Sequence, residues 1–178
     1  MDSCLERLLN AITSATRGMT VEELTRHPEG KWSSAEILEH LYLTYTGTVK
    51  GFERCCEAGK PLASSLKLKQ RLAIAVVIEA GYFPAGREAP ERTRPRGMPA
   101  ENMMSEVERQ IARMDEWITK CEARYGKRTK LIDHPVFGAL TGRQWRKFHW
   151  VHGRHHVKQI MKLKVKERAE SRSPSSQV

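Results

Sequence analysis

Residues 32–41 read WSSAEILEHL, and this stretch decides the class of fold. Ser33 is placed to accept from the backbone N–H three residues on, and Glu36 to reach back to the Ser33 N–H. That reciprocal pair is a capping box, the start signal of a helix. Trp32 before the cap and Ile37 after it suit a hydrophobic staple. Helical spacing continues until Gly59-Lys60-Pro61 interrupts it, so the predicted helix ends near Ala58.

Outward from this helix the signals stay helical. Leu5, Leu8, Leu9 and Ile12 predict a helix from Asp2 to about Thr16. A short helical turn from Thr20 stops at His27-Pro28-Glu29-Gly30. On the other side, a helix over 64–80 holds the apolar run Leu72–Ile78, and Gly81 and Pro84 end it. Residues 85–100, AGREAPERTRPRGMPA, read as a long surface loop with no packed structure of its own. Val107, Ile111, Met114, Ile118 and Cys121 stripe a helix over 100–124. After a connection over 125–140, Thr141 and Gln144 form a second capping box and open a last helix over 142–167. No stretch reads as a strand. The expectation is an all-α protein: a four-helix bundle with an additional short N-terminal helical segment and a long crossover loop at 85–100. One domain is expected over 1–167, with a disordered Ser-rich tail at 168–178.

Composition narrows the functional classes. At 29% charged and 39% apolar over 178 residues, the chain reads as a globular domain with a real core. The net charge of +10 favours anionic partners, but the segment from Lys158 onward supplies four of those charges. Four cysteines without a C-x-x-C pair make neither a disulfide framework nor a cysteine zinc site. That usage, with no signal-peptide pattern and no apolar run near membrane-spanning length, reads as a soluble cytoplasmic protein.

The stretch 148–160, FHWVHGRHHVKQI, carries four of the seven histidines. At 100° per residue, with Trp145 at zero, His152 falls at about 340° and His156 at about 20°, both on the apolar face. Arg154, Lys147 and Lys158 fall on the opposite face, which argues against a phosphate-binding surface here. Two buried imidazoles need partners for their ring nitrogens. Either each bonds a nearby carbonyl or carboxylate, or one divalent metal satisfies both. His40, one turn after Glu36, is the natural third ligand from another helix. Gly47 and Gly51 share its face, as close packing or as room over a metal. Gln159 and Glu36 are candidates to orient a histidine or to meet substrate. His27, His134, His149 and His155 are read as non-ligands.

These residues carry a resemblance. WSSAEILEHL followed by HGRHHVKQI resembles the DinB/YfiT-like metalloenzyme superfamily. The run HPVFGALTGRQWRKFHWVHGRHHVKQI, residues 134–160, is similar to a branch of it known only as a domain of unknown function. The resemblance covers about 5–163. It implies a four-helix bundle with one divalent metal (zinc, nickel, iron or manganese) on His40, His152 and His156. It also implies frequent homodimers and relatives that are S-transferases or isomerases using a low-molecular-weight thiol, or hydrolase-like proteins. The basic tail and the Arg/Pro-rich 87–99 loop depart from the family pattern.

Three imidazoles leave an open coordination position, the arrangement of a catalytic metal site. The leading expectation is thus a metal-dependent enzyme, a thiol S-transferase or hydrolase acting on a small, anionic substrate. The alternatives are a non-catalytic metal-binding or scaffold protein and, behind it, a basic nucleic-acid-binding protein.

Overall fold

Ser33 opens its helix as its sequence requires. In the computed structural model, which describes residues 1–84, 86 and 88–170, its Oγ accepts from Glu36 N at 3.2 Å. Glu36 Oε2 accepts from Ser33 N at 2.8 Å. This box starts α3, Ser34–Glu57. Before it come α1, Ser3–Thr16, capped by Asp2, and α2, Val21–Thr25, opened by a capping box of Thr20 and Glu23. After it come α4, Leu68–Ala73, and its continuation as a π-helix over Ile74–Glu79. Two 3₁₀ turns, Glu91–Thr93 and Ala100–Asn102, lead into α5, Met103–Tyr125. An antiparallel hairpin follows, β1 Ile132–His134 and β2 Gly138–Leu140, with Ile132 opposite Leu140. The Thr141–Gln144 box then opens α6, Gly142–Glu170.

The chain is mostly helical. α3 lies along α5, and α1 lies along α6, these being its two most extensive helix pairings. Leu8, Leu38, Ile111 and Ile118 are fully buried in the shared core. Each such side chain contributes about 1.5–3 kcal/mol relative to exposure. Arg146 is buried between α6 and α5, where Nε meets Asp115 at 2.7 Å, Nη1 meets Glu122 at 2.7 Å and Nη2 meets Thr119 Oγ1 at 2.9 Å. A planar fork with every arm occupied tolerates burial that a lone charge does not.

Several expectations are corrected. The N-terminal helix is not an appendage, because α1 packs along α6. The helix expected over 64–80 starts only at Leu68, since the preceding backbone is tied to the hairpin segment: Leu62 N bonds Leu131 O at 2.8 Å and Ser64 N bonds Asp133 Oδ1 at 3.1 Å. Its second half widens to i→i+5 bonding, as in Ala80 N to Ala75 O at 2.9 Å. The hairpin, where no strand was expected, has strands of three residues, too short to show alternation. His134 Nδ1 accepts from Val136 N at 3.1 Å and Phe137 N at 3.3 Å, and Gly138 takes φ +64° to close the turn. α6 extends three residues past 167, to Glu170, and the rest of the expected disordered tail, 171–178, lies outside the described residues.

Gly153 is where α6 meets α1: a Cβ there would overlap Leu8 Cδ1, and Leu8 is fully buried. Gly153→Ala is therefore expected to destabilise the fold by about 1–3 kcal/mol through overpacking, read by urea denaturation. Restoring stability with Leu8→Ala in the same chain would identify this contact as the cause.

Candidate metal centre

α3 carries His40 and α6 carries His152 and His156 on successive turns, and the three rings meet. His152 Nε2 lies 3.0 Å from His156 Nε2 and 3.3 Å from His40 Nε2. All three ligand atoms fall within 4.8 Å of one another, and all three residues are buried.

The outer nitrogens fix the tautomers. His40 Nδ1 is 2.8 Å from Thr93 O, and a carbonyl only accepts, so the proton sits on Nδ1. His156 Nδ1 is 2.7 Å from Gln159 Oε1, which places its proton there too. Both Nε2 atoms therefore present bare lone pairs to His152. One proton on His152 Nε2 can serve only one of them. His152 Nδ1 has no partner among the described residues. A cation at the shared point answers all three lone pairs. Two metal–nitrogen bonds of ~2.1 Å at tetrahedral or octahedral angles separate the nitrogens by about 3.0–3.4 Å, which matches the His152–His156 and His152–His40 pairs.

Burial keeps these imidazoles neutral. It lowers the pKa of His40, with the Thr93 bond opposing it. It pushes His152 well below the usual histidine range, and the facing His156 and His40 add to the effect. Burial, then His40, lower His156 to about 3 despite Gln159. Neutral imidazole is the ligand form, so no proton has to leave for a metal to bind at neutral pH.

Aromatic rings wall the cluster. Phe148 stacks on His152 with centroids 5.4 Å apart, Phe83 lies 5.2 Å from it, and Trp32 lies 5.3 Å from His40. Residues 93–98 are also part of the site, contrary to the expectation of an 85–100 loop without packed structure of its own. Glu39, 2% exposed, accepts from the backbone N–H groups of Arg96 at 2.7 Å, Gly97 at 3.0 Å and Met98 at 3.1 Å. Gly97 adopts φ +86°, which lets successive amides converge on one anion. The same loop brings Thr93 O to His40. Glu39, Thr93 and Phe83 were not among the candidates. The only local hint was a charged residue beside His40.

The remaining candidates divide. Gln159 touches His156, as above. Glu36 is occupied by the Ser33 cap and by His27 Nε2 at 2.9 Å. His149 is fully buried but bonds Thr48 Oγ1 at 3.0 Å, and His134 caps the hairpin turn. Gly51 is a close contact, with a Cβ there 2.8 Å from Ile132 Cδ1, whereas Gly47 is exposed with nothing near it.

The basic face of α6, opposite the histidines, has partners of its own. Lys147 Nζ bonds Glu79 O and Oε2 at 3.0 and 2.9 Å, Arg143 bonds Glu79 at 2.6 Å, and Arg154 bonds Gly81 O at 2.9 Å. Burial alone would raise the Glu79 pKa, but Lys147 and Arg143 together hold it at about 2. These cations secure the π-helix against α6.

A family model described as "Protein of unknown function (DUF1569)" matches residues 3–163. No curated protein and no solved structure matches the chain. No described helix is long and apolar enough to cross a membrane.

Proposed function

The chain belongs to the DUF1569 family, and from that premise we propose that His40, His152 and His156 hold one divalent metal ion in a metal-dependent catalytic centre. The reaction is a thiol transfer or a hydrolysis. One observation carries this reading: three buried Nε2 atoms converge while the His40 and His156 protons are held on the outer nitrogens by Thr93 O and Gln159 Oε1. A bound divalent ion supplies Lewis acidity there and favours deprotonation of a water or thiol at an open position. The chain's own part is to orient the rings and to keep bulk water out with Trp32, Phe83 and Phe148. Arg92, Arg94 and Arg96 on the crossover loop, with the +10 net charge, suit a small anionic or thiol-bearing substrate. In this reading α1, α3, α5 and α6 form a DinB-like four-helix bundle, and 85–100 is its crossover.

Elemental analysis of protein purified without a tag, combined with a screen of low-molecular-weight thiols and hydrolysable esters, tests the reading. One divalent ion per chain is expected. Protein that stays metal-free after exposure to zinc, nickel, iron and manganese removes its basis.

A non-catalytic metal-binding role is the second reading. It is favoured by the two glutamates nearest His40 in sequence being occupied, Glu36 in a cap and Glu39 in the loop. Cobalt-substituted protein separates the two. A visible spectrum that shifts on adding a thiol indicates an open position, and an indifferent spectrum supports the non-catalytic role.

Gln159 offers a graded test because it is exposed and its side chain, among the described residues, bonds only histidines. Gln159→Ala is expected to weaken metal binding about 10-fold, in a chelator competition, by freeing the His156 ring. Gln159→Glu retains an acceptor and should restore most of the affinity. Equal affinity in all three proteins would deny Gln159 a positioning role.

A further inference from the structure

At the far end of α3, about 24 Å along its axis from His40, lies a second group of reactive side chains. Cys55 and Cys56 sit on the last turns of α3, and Cys121 faces them from α5. The Cys56 and Cys121 sulfurs are 2.9 Å apart, within about 1 Å of a covalent S–S bond. Cys121 is fully buried, with its sulfur also 3.6 Å from Phe52 O. Cys55 is buried too, with its sulfur 3.5 Å from Lys60 O and 3.7 Å from Leu131 O. Of the three, only Cys56 reaches the surface in part.

We propose that Cys56 and Cys121 are a redox pair, forming a reversible disulfide that clips the end of α3 to α5 by exchange with a low-molecular-weight disulfide. Cys56, the accessible thiol, attacks one sulfur of the small disulfide as its thiolate. A mixed disulfide forms, and the first small thiol leaves with the Cys56 proton. The Cys121 sulfur then attacks the Cys56 sulfur, and the second small thiol leaves with the Cys121 proton. Two protein thiols are oxidised to one disulfide while one small disulfide is reduced to two thiols. Burial pushes the Cys121 thiol up, and its bond with Cys56 adds to this, which slows the second step by lowering the thiolate fraction of Cys121. In a reducing compartment such pairs are transient or redox-sensing rather than structural. The proposal is independent of the metal reading, because no residue is shared.

The test uses the full chain with oxidised glutathione, followed by alkylation and peptide mass mapping. Two of the four thiols should disappear into a Cys56–Cys121 bridge and return with dithiothreitol. Cys121→Ser should stop at a glutathione adduct on Cys56. Cys55 and Cys56 share a tryptic peptide, so Cys55→Ser, which should still form the bridge, assigns the sulfur. Four thiols left free in the wild type, or a bridge lost in Cys55→Ser and kept in Cys56→Ser, overturns the proposal.

Discussion

His152→Ala is expected to abolish stoichiometric metal binding and to leave the metal-free fold nearly as stable as before. His152 Nε2 is within 3.3 Å of both partner nitrogens, so its loss removes both of these close nitrogen pairs. At a metal concentration a hundredfold above Kd, the wild type should gain about 2.7 kcal/mol of stability from binding alone. The variant should gain none. Without metal, the substitution removes a ring whose Nδ1 is buried without a partner among the described residues. Leaving such a group unsatisfied costs about 1–3 kcal/mol, and this relief offsets much of the cavity the alanine leaves. Equilibrium dialysis and thermal denaturation, each with and without metal, read both halves. An alanine variant that still holds one ion per chain would exclude His152 as a ligand.

Glu39→Ala is expected to have the largest effect among residues that touch no metal. It strands three backbone donors that now converge on one buried carboxylate. Hydrogen bonds to a charged group contribute about 1.5–3 kcal/mol each, but the freed amides can reach water once the loop lifts, so a net loss of ~3 kcal/mol is expected. The loop also carries Thr93, whose carbonyl holds the His40 ring. Metal affinity should therefore fall by roughly 10–100-fold, the range for losing a partner that orients a ligand. Amide hydrogen exchange at 96–98 reads the release of the loop, and chelator competition reads the affinity. Faster exchange with unchanged affinity would mean that the loop does not position His40.

The two experiments address different levels of the same site. His152 bears on whether a metal is bound, and Glu39 bears on how a segment 57 residues away in sequence is recruited to hold a ligand. The second could not be read from WSSAEILEHL, although Glu39 stands in that stretch. A glutamate on a helix is ordinarily solvated, and only the return of residues 96–98 makes this one buried. The hairpin and the π-helix were hidden for a related reason. Each depends on what the segment lies against, and neither leaves a periodic trace in so few residues.

By itself the sequence determined the helical class, the starts of α3 and α6, and the inward pairing of His152 with His156. Those features are local: a cap closes over three residues and a helical face repeats over four, so short-range spacing carries them. The sequence nominated His40 as the third ligand, but only tertiary structure decided that its ring meets the pair, that residues 93–98 are part of the site, and that the cations of α6 secure the π-helix. It also turned one buried glutamate into a latch. Each of these joins residues more than 50 positions apart. Contacts of that range follow from which surfaces the packed helices leave facing one another, and no local spacing records them.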